Sequence, residues 1–414
     1  MAEQDAPRIF VIVGAGQAGG ELAKTLRKRG FTGRILLYGA EPHLPYRRPP
    51  LSKEFLAGTV KEEGLCLLRQ TQIEKDHIEF FLGVRVDRID RAAHRVHLAD
   101  GREQHYDKLA LTTGGRARPL PLPGADAENV FSMRTIADVR RMRAAFAPGK
   151  RFVIIGGGFI GLEVGAVARK LGLEVTVLEG LPRVLARVTC EETSAFFQDV
   201  HRGHGVDVRT AARLERFALS ADGKRVTAAV LADGTEVPAD LVLVGIGQLP
   251  NVELAKEAGL SVDNGIVVDA CGRTADPDIV AAGDCASYPS QLYGRRLRLE
   301  SVQNALEYSR TAAAAMLGLE EPYAALPWFW SDQYDVKLQM AGLSTGYDHK
   351  IVRGTPAEHN FAIFYLREGV LIAADTVGRA QDFMAAKKLI LARAKPDAAQ
   401  LADPQVALKT LLPA

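Results

Sequence analysis

Two glycine turns, each followed by an acid, are the residues of this chain whose types and spacing could do chemistry. The first is Gly14-Ala15-Gly16-Gln17-Ala18-Gly19, with Glu41 further on. The second is Gly156-Gly157-Gly158-Phe159-Ile160-Gly161, with Glu179 further on. In such a turn the first glycine permits a tight bend, the second lets backbone approach a pyrophosphate, and the third lets helix and strand pack closely. The pyrophosphate lies on a helix N-terminus, where unpaired N–H groups and the helix dipole favour anions. An acid about twenty residues past the turn accepts from ribose hydroxyls. Gly14, Gly16, Ala18, Gly19 and Glu41 are thus one candidate dinucleotide site, and Gly156, Gly158, Ile160, Gly161 and Glu179 a second. Two such turns imply two dinucleotides, or a duplicated fold with one degenerate copy; the first is favoured. A carboxylate at Glu179 suits a nicotinamide dinucleotide with a free 2′-hydroxyl over its 2′-phosphate counterpart, although Arg183 or Arg187 nearby could soften that preference.

Each turn needs a strand before it and a helix behind it. Ile9–Val13 and Arg151–Ile155 are apolar runs that read as strands, and Glu21–Lys28 and Leu162–Lys170 read as helices. Second strands follow at Ile35–Tyr38 and Glu174–Leu178. Three further strand ends carry small or acidic residues suited to a cofactor: Lys108–Thr112 running into Thr113-Gly114, Leu241–Val244 running into Gly247, and Ile279–Ala282 running into Gly283-Asp284. Asp284 is placed to accept from a polyol hydroxyl or to cap a helix starting there. Between the first turn and these strands, Arg48-Pro49-Pro50-Leu51-Ser52-Lys53 is a proline-broken basic loop; Leu51–Leu56 could begin a helix capped by Ser52. Arg48 could meet a phosphate and Lys53 a cofactor ring edge, or both could face solvent. From Leu326 the pattern changes to strands at Val336–Ala341, Lys350–Val352, Ala362–Leu366 and Val370–Thr376, then helices at Ala380–Ala394 and Pro404–Leu411. Both tryptophans, Trp328 and Trp330, open this part, as core or as a flat ring near a cofactor.

Bulk properties narrow the class. The chain has 414 residues, 47% hydrophobic and 25% charged, with net charge +2. That is an ordinary globular composition and gives nucleic acid no bulk electrostatic attraction. The four cysteines, Cys66, Cys190, Cys271 and Cys285, form no C-x-x-C pair and no metal-ligand spacing. The acidic start Met-Ala-Glu-Gln-Asp is no secretory signal, and no apolar run reaches the ~20 residues of a membrane span, so a cytoplasmic protein is expected.

Several longer runs resemble a known family. Arg-Pro-Pro-Leu-Ser-Lys at 48–53, Gly-Gly-Gly-Phe-Ile-Gly-Leu-Glu at 156–163, Ala-Ala-Gly-Asp at 281–284, Leu-Glu-Ser-Val-Gln-Asn-Ala at 299–305 and Trp-Phe-Trp-Ser-Asp-Gln at 328–333 are similar to the FAD-dependent NADH:ferredoxin reductases of oxygenase and cytochrome P450 systems, which have the glutathione-reductase architecture. The resemblance spans nearly the whole chain and implies an α/β fold: two Rossmann-like dinucleotide-binding domains, for FAD (1–117 and 247–325) and NAD (118–246), plus a C-terminal α+β domain (326–414). It implies that Gly14, Gly16, Ala18, Gly19, Glu41, Arg48, Lys53, Thr113, Gly114, Asp284, Val302 and Trp330 meet FAD, and that Gly156, Gly158, Ile160, Gly161, Glu179 and Gly247 meet NADH. Lys53, Glu163 and Trp330 would flank the reacting rings. The one departure is Thr112, where the family more often has alanine. The resemblance implies hydride transfer from NADH to FAD, then single electrons to a [2Fe–2S] ferredoxin. Cys66 has no close partner, which argues against a dithiol reductase. Arg295, Arg296, Arg298, Arg310 and Lys337 are candidates for a basic docking patch, and a monomer or weak dimer is expected. Rubredoxin and monodehydroascorbate reductases on the same fold, and a redox-dependent binding protein like apoptosis-inducing factor, are the alternatives.

Overall fold

The computed structural model describes residues 7–68 and 70–413; the acidic start therefore lies outside the described residues. The chain forms two compact units. One comprises residues 1–48, 62–116 and 248–325, the other residues 49–61, 117–247 and 326–414.

The first unit is built on a parallel sheet of five strands, in the order Ile279–Ala281, Lys108–Leu111, Ile9–Val13, Arg34–Gly39, Ile78–Leu82. The central strands read as continuous apolar runs because both faces are covered; Phe10, Val11, Ile12, Ile35, Leu36 and Leu37 are fully buried. Helices Gln17–Lys28 and Val302–Met316 pack against each other. The parallel pairing of Ile279–Ala281 with Lys108–Leu111 brings the late Gly283-Asp284 strand end to the same sheet edge as the first glycine turn. No helix follows Asp284. The chain instead enters the strand Ala286–Ser290, so the capping alternative for Asp284 falls away.

The second unit repeats the plan and adds to it. Its parallel sheet runs Asp207–Arg209, Glu174–Leu178, Arg151–Ile155, Leu241–Val244, Val130–Phe131, with helix Phe159–Lys170 behind the glycine turn. A small antiparallel sheet, Leu214–Leu219, Val226–Leu231 and Glu236–Pro238, closes a core around Val153, Val242 and Ala229. Residues from 328 onward form a separate antiparallel sheet in the order Trp328–Gln333, Val336–Gly342, Val370–Val377, Asn360–Arg367, His349–Thr355, covered by helix Ala380–Leu391. The predicted helix Pro404–Leu411 is absent. A short helix, Ala398–Ala402, precedes Pro404, and only a 3₁₀ turn forms at Leu408–Leu411. The expected helix at Leu51–Leu56 is likewise split into a 3₁₀ turn Pro49–Ser52 and a helix Glu54–Ala57, because Lys53 between them leaves the helical region (φ −127°, ψ −110°).

Two buried polar clusters stabilise the late sheet. Arg353 is 2% exposed and donates to Asp382 and to the carbonyls of Leu401, Asp403 and Val406. It thereby fastens the end of the chain beneath the sheet. Arg353→Met leaves Asp382 with Arg379 as its remaining arginine and takes the donor from three carbonyls, and is expected to cost about 1–3 kcal/mol, read as a lower urea midpoint at unchanged m. The second cluster centres on Asp375, which accepts from Thr189 and from Tyr365 Oη at 2.6 Å. It ties the segment before helix Glu191–Gly203 to the sheet. Burial pushes the Asp375 carboxyl up to about 6, against the lowering effect of its hydroxyl donors. The folded state then holds this proton more tightly than the unfolded chain. Stability from this group is therefore full below about pH 4 and falls as pH rises toward 6, by on the order of 2–3 kcal/mol. Urea unfolding across pH 4–7 is expected to show this fall in the native protein and to lack it in Asp375→Asn.

Candidate functional site

The two glycine turns have the same geometry. Gly14 (φ +116°) and Gly156 (φ +107°) both lie in the region that favours glycine, and a Cβ on either would overlap a neighbouring strand end, Thr112 O for Gly14 and Gly245 O for Gly156. A Cβ on Gly19 would overlap Gly14 O, and one on Gly161 would overlap Gly156 O. Gly16 and Gly158 differ from these, since a Cβ on either meets no protein atom within 4 Å. Each is also the N-cap of its helix, with no side chain satisfying the first N–H groups. Each turn therefore presents free donors over open space, the cradle a pyrophosphate requires. Thr112 contributes to the first turn in a way the sequence did not reveal. Its hydroxyl donates to Gly14 O at 2.9 Å and holds the bend closed.

Around the first turn, Glu41 accepts from Tyr46 Oη and from Arg48, both at 2.6 Å. Arg48 is therefore fixed on Glu41, with its Nη1 2.8 Å from Tyr46 Oη. Ala18 is buried, and a Cβ on Gly283 (φ +81°) would press on it, so the Gly283-Asp284 strand end lies against the start of helix Gln17–Lys28. Asp284 accepts from Gln248 at 3.1 Å. Thr113 and Asn251 exchange bonds, Thr113 Oγ1 to Asn251 O at 2.6 Å and Asn251 Nδ2 to Thr113 O at 2.9 Å, beside Gly114 (φ +63°). Val302 opens helix Val302–Met316, which is capped by Ser301 accepting from Asn304 N. Tyr46 and Gln248 were not singled out from sequence. Tyrosine near an acid and glutamine near an aspartate carry no local signal of contact.

At the second turn Glu179 is held by backbone. Gly157 N donates to Oε2 at 2.7 Å and Leu181 N to Oε1 at 2.8 Å, which fixes the carboxylate beside the turn. Arg183, considered above as a modifier of nucleotide preference, is engaged elsewhere. It donates to Thr189 O at 2.7 Å and Ser194 Oγ at 2.6 Å. Ile160 is 44% exposed at the helix start, unusual for isoleucine, and a Cβ on Gly247 (φ +104°) would meet open space.

The same unit holds a buried ionic cluster. Glu163, 3% exposed on helix Phe159–Lys170, accepts from Lys53 Nζ at 2.7 Å, Ser52 Oγ at 2.5 Å and Ser331 Oγ at 2.6 Å. Ser52 is thus no helix cap; its hydroxyl reaches Glu163 instead. Trp330, next to Ser331, is half-buried and stacks loosely on Trp328, with ring centroids 5.6 Å apart. Of the proposed basic patch, Arg296 is turned inward onto Val268 O at 2.7 Å, and Arg298 is only 11% exposed against Glu300. Arg310 pairs with Glu21 yet stays half exposed, while Arg295 and Lys337 face solvent. All four cysteines are free thiols, three of them buried. No helix among the described residues is long and apolar enough to cross a membrane.

Two nucleotide cradles on successive parallel sheets, with a buried lysine–carboxylate pair and no cysteine pair, define a pyridine-nucleotide oxidoreductase of the two-dinucleotide type. Residues 9–308 match the pyridine nucleotide-disulphide oxidoreductase family and residues 328–412 the reductase C-terminal family. The chain belongs to the pyridine nucleotide-disulphide oxidoreductase family, in its branch of putidaredoxin reductase-like ferredoxin–NAD(P)+ reductases. It is 46% identical over 407 residues to putidaredoxin reductase of Pseudomonas putida, covering 98% of this chain and 96% of that one. It is 45% identical over 404 residues to the ferredoxin–NAD(+) reductase component of the anthranilate 1,2-dioxygenase system of Burkholderia cepacia, covering 97% and 99%. The crystal structure of a covalent putidaredoxin reductase–putidaredoxin complex superposes with a TM-score of 0.95 over 98% of both chains at 46% identity.

Proposed function

We propose that this protein oxidises NADH, holds FAD as its resident cofactor, and delivers single electrons to a [2Fe–2S] ferredoxin that feeds a cytochrome P450 or another oxygenase. The observation that carries the reading is the pair of glycine turns with matching geometry, joined to the absence of a paired cysteine that would receive electrons within the chain. Bound FAD supplies acceptance of a hydride and release of electrons one at a time.

The residues divide between two tasks. Gly14, Gly16 and Gly19 cradle the FAD pyrophosphate, with Glu41, braced by Tyr46 and Arg48, on the ribose side. Thr113, Gly114, Asp284 and the N-terminal turn at Val302 serve the remainder of that cofactor, and Ala18 packs its helix closely enough for the pyrophosphate to reach the backbone. Gly156, Gly158 and Gly161 cradle NADH, with Gly247 and Ile160 bounding the space. Glu179, pinned by two N–H groups, accepts from the 2′-hydroxyl and repels a 2′-phosphate. Lys53, aligned by Glu163, presents positive charge to the flavin, which favours the reduced cofactor. Trp330 flanks the ring on the side that the partner approaches. The domain division in this reading is residues 1–117 and 247–325 for FAD, 118–246 for NADH, and 326–414 as the C-terminal domain, although residues 49–61 pack within the second unit.

The ferredoxin docks transiently on basic surface, for which Arg295, Arg310 and Lys337 are the exposed candidates, while Arg296 and Arg298 are engaged on Val268 O and Glu300. The protein acts in the cytoplasm as a monomer or weak dimer. Purified holoenzyme tested with NADH against a [2Fe–2S] ferredoxin, a rubredoxin and monodehydroascorbate is expected to reduce the ferredoxin with the highest kcat/KM. Faster turnover with either of the others would replace the ferredoxin in this reading.

A further inference from the structure

Behind the Lys53–Glu163 pair runs a line of buried polar side chains that the cofactor cradles do not use. Ser331 is 0% exposed, Gln333 1% and His201 0%. Ser331 Oγ lies 2.6 Å from Glu163 Oε1, Gln333 Nε2 lies 3.2 Å from Ser331 Oγ, and Gln333 Oε1 lies 2.8 Å from His201 Nε2.

The direction of every bond follows from one end. A carboxylate only accepts, and Glu163 has three donors on it: Lys53 Nζ and Ser52 Oγ on Oε2, and Ser331 Oγ on Oε1. Ser331 has one proton and gives it to Glu163, so its oxygen accepts from the Gln333 amide nitrogen. The amide carbonyl must then face His201. A carbonyl only accepts, so His201 carries its proton on Nε2. The other ring nitrogen, Nδ1, is buried without a hydrogen-bond partner, as suits a neutral ring. Burial also pushes His201 down to about 4, so the ring stays neutral at working pH.

We infer that His201, Gln333 and Ser331 form a one-way hydrogen-bond relay that fixes Glu163 and thereby sets how much of the Lys53 charge is felt by the flavin. This rests on the placement of Lys53 at the flavin argued under Proposed function. Bonds aligned donor to acceptor in a dry interior polarise one another, so the far end of the relay adds to the pull on Oε1. With that pull present, Glu163 charge is shared among three donors and Lys53 keeps more of its field for the cofactor. Without it, the carboxylate leans on Lys53 and neutralises it. All three are positioning residues, since none needs to touch NADH or FAD. The relay also connects helix Glu191–Gly203 to the strand that bears Trp330.

The test is the midpoint potential of bound FAD in the holoenzyme, measured by dye equilibration for the native protein and for Lys53→Met, Ser331→Ala, Ser331→Thr and Gln333→Leu. Lys53→Met is expected to shift the potential downward most. Ser331→Ala and Gln333→Leu are expected to shift it the same way by a smaller amount, with Ser331→Thr back at the native value. A shift in Lys53→Met with none in Ser331→Ala or Gln333→Leu would overturn the relay and leave the Lys53 placement standing. No shift in Lys53→Met would remove that placement and the relay with it. A second measurement does not depend on folding of any variant. Long-range ¹H–¹⁵N spectra of the histidine-labelled native protein at pH 7 are expected to show His201 as the Nε2–H tautomer; an Nδ1–H tautomer would reverse the chain and overturn the inference.

Discussion

Gly16→Val is expected to yield a folded protein that has lost its yellow colour. The reason is local to one atom. Gly16 has φ −95°, which any residue adopts, and a Cβ there meets no protein atom within 4 Å. The apoprotein therefore tolerates a side chain, and its urea midpoint should match that of native apoprotein to within about 0.5 kcal/mol. The open space is where the proposed FAD site would take the pyrophosphate, however. Overpacking a filled site costs about 1–3 kcal/mol, or about five- to more than hundredfold in FAD Kd. Gly158→Val is the matched control in the second turn, with the same open space and φ −80°. It should keep FAD and its colour, and raise KM for NADH over the same range. Gly14→Val would not make this distinction, because φ +116° and the overlap with Thr112 O damage the fold itself. The outcome that contradicts the assignment is loss of FAD from Gly158→Val with retention in Gly16→Val.

Glu179→Arg is expected to move nucleotide preference by on the order of hundredfold in the ratio of kcat/KM for NADH to that for NADPH. The native carboxylate has no rotational freedom, since Gly157 N and Leu181 N hold one oxygen each. It accepts well from a hydroxyl in that pose and cannot swing away from a phosphate. A hydrogen bond to a charged group is worth about 1.5–3 kcal/mol, and reversing the charge exchanges that stabilisation between the two nucleotides. Arg183 does not compensate in either direction, being spent on Thr189 and Ser194. Steady-state rates with each nucleotide check this directly, and an unchanged ratio would remove Glu179 from the ribose.

The parts of the fold that were legible in the sequence are those dictated by short-range geometry. Gly14, Gly16 and Gly19 lie within a single turn, and the meaning of each is set by its own backbone and by the strand beside it. The repeat at Gly156, Gly158 and Gly161 was readable for the same reason, as were the apolar strands that lead into both. The ionic cluster was readable only as a set of separate residues. Ser52 and Ser331 reach Glu163 across 111 and 168 residues of chain, and nothing in either neighbourhood marks a serine as a donor to a distant carboxylate. Ser52 looked like a helix cap because its local context suited one, and tertiary pairing prevailed over that preference. Asp284 looked like a helix start, yet the strand Ala286–Ser290 took the chain onward through pairing with Ile266–Val267 and Arg295–Leu297. Thr112 was the one departure from the family pattern. Its hydroxyl bond to Gly14 O shows that the substituted side chain closes the turn. The role of Arg353 was out of reach for sequence reasoning, because its carbonyl partners lie about fifty residues downstream and carbonyls leave no mark on residue type.

Two dinucleotides serve one electron path, with FAD resident and NADH as donor. Anaerobic titration of the purified holoenzyme with NADH, followed by visible absorbance, tests it most directly. A yellow protein with one FAD per chain is expected, which bleaches on addition of one equivalent of NADH and regains its colour when oxidised ferredoxin is added. A protein that stays colourless after reconstitution with FAD, or a yellow one that NADH does not bleach, would contradict it.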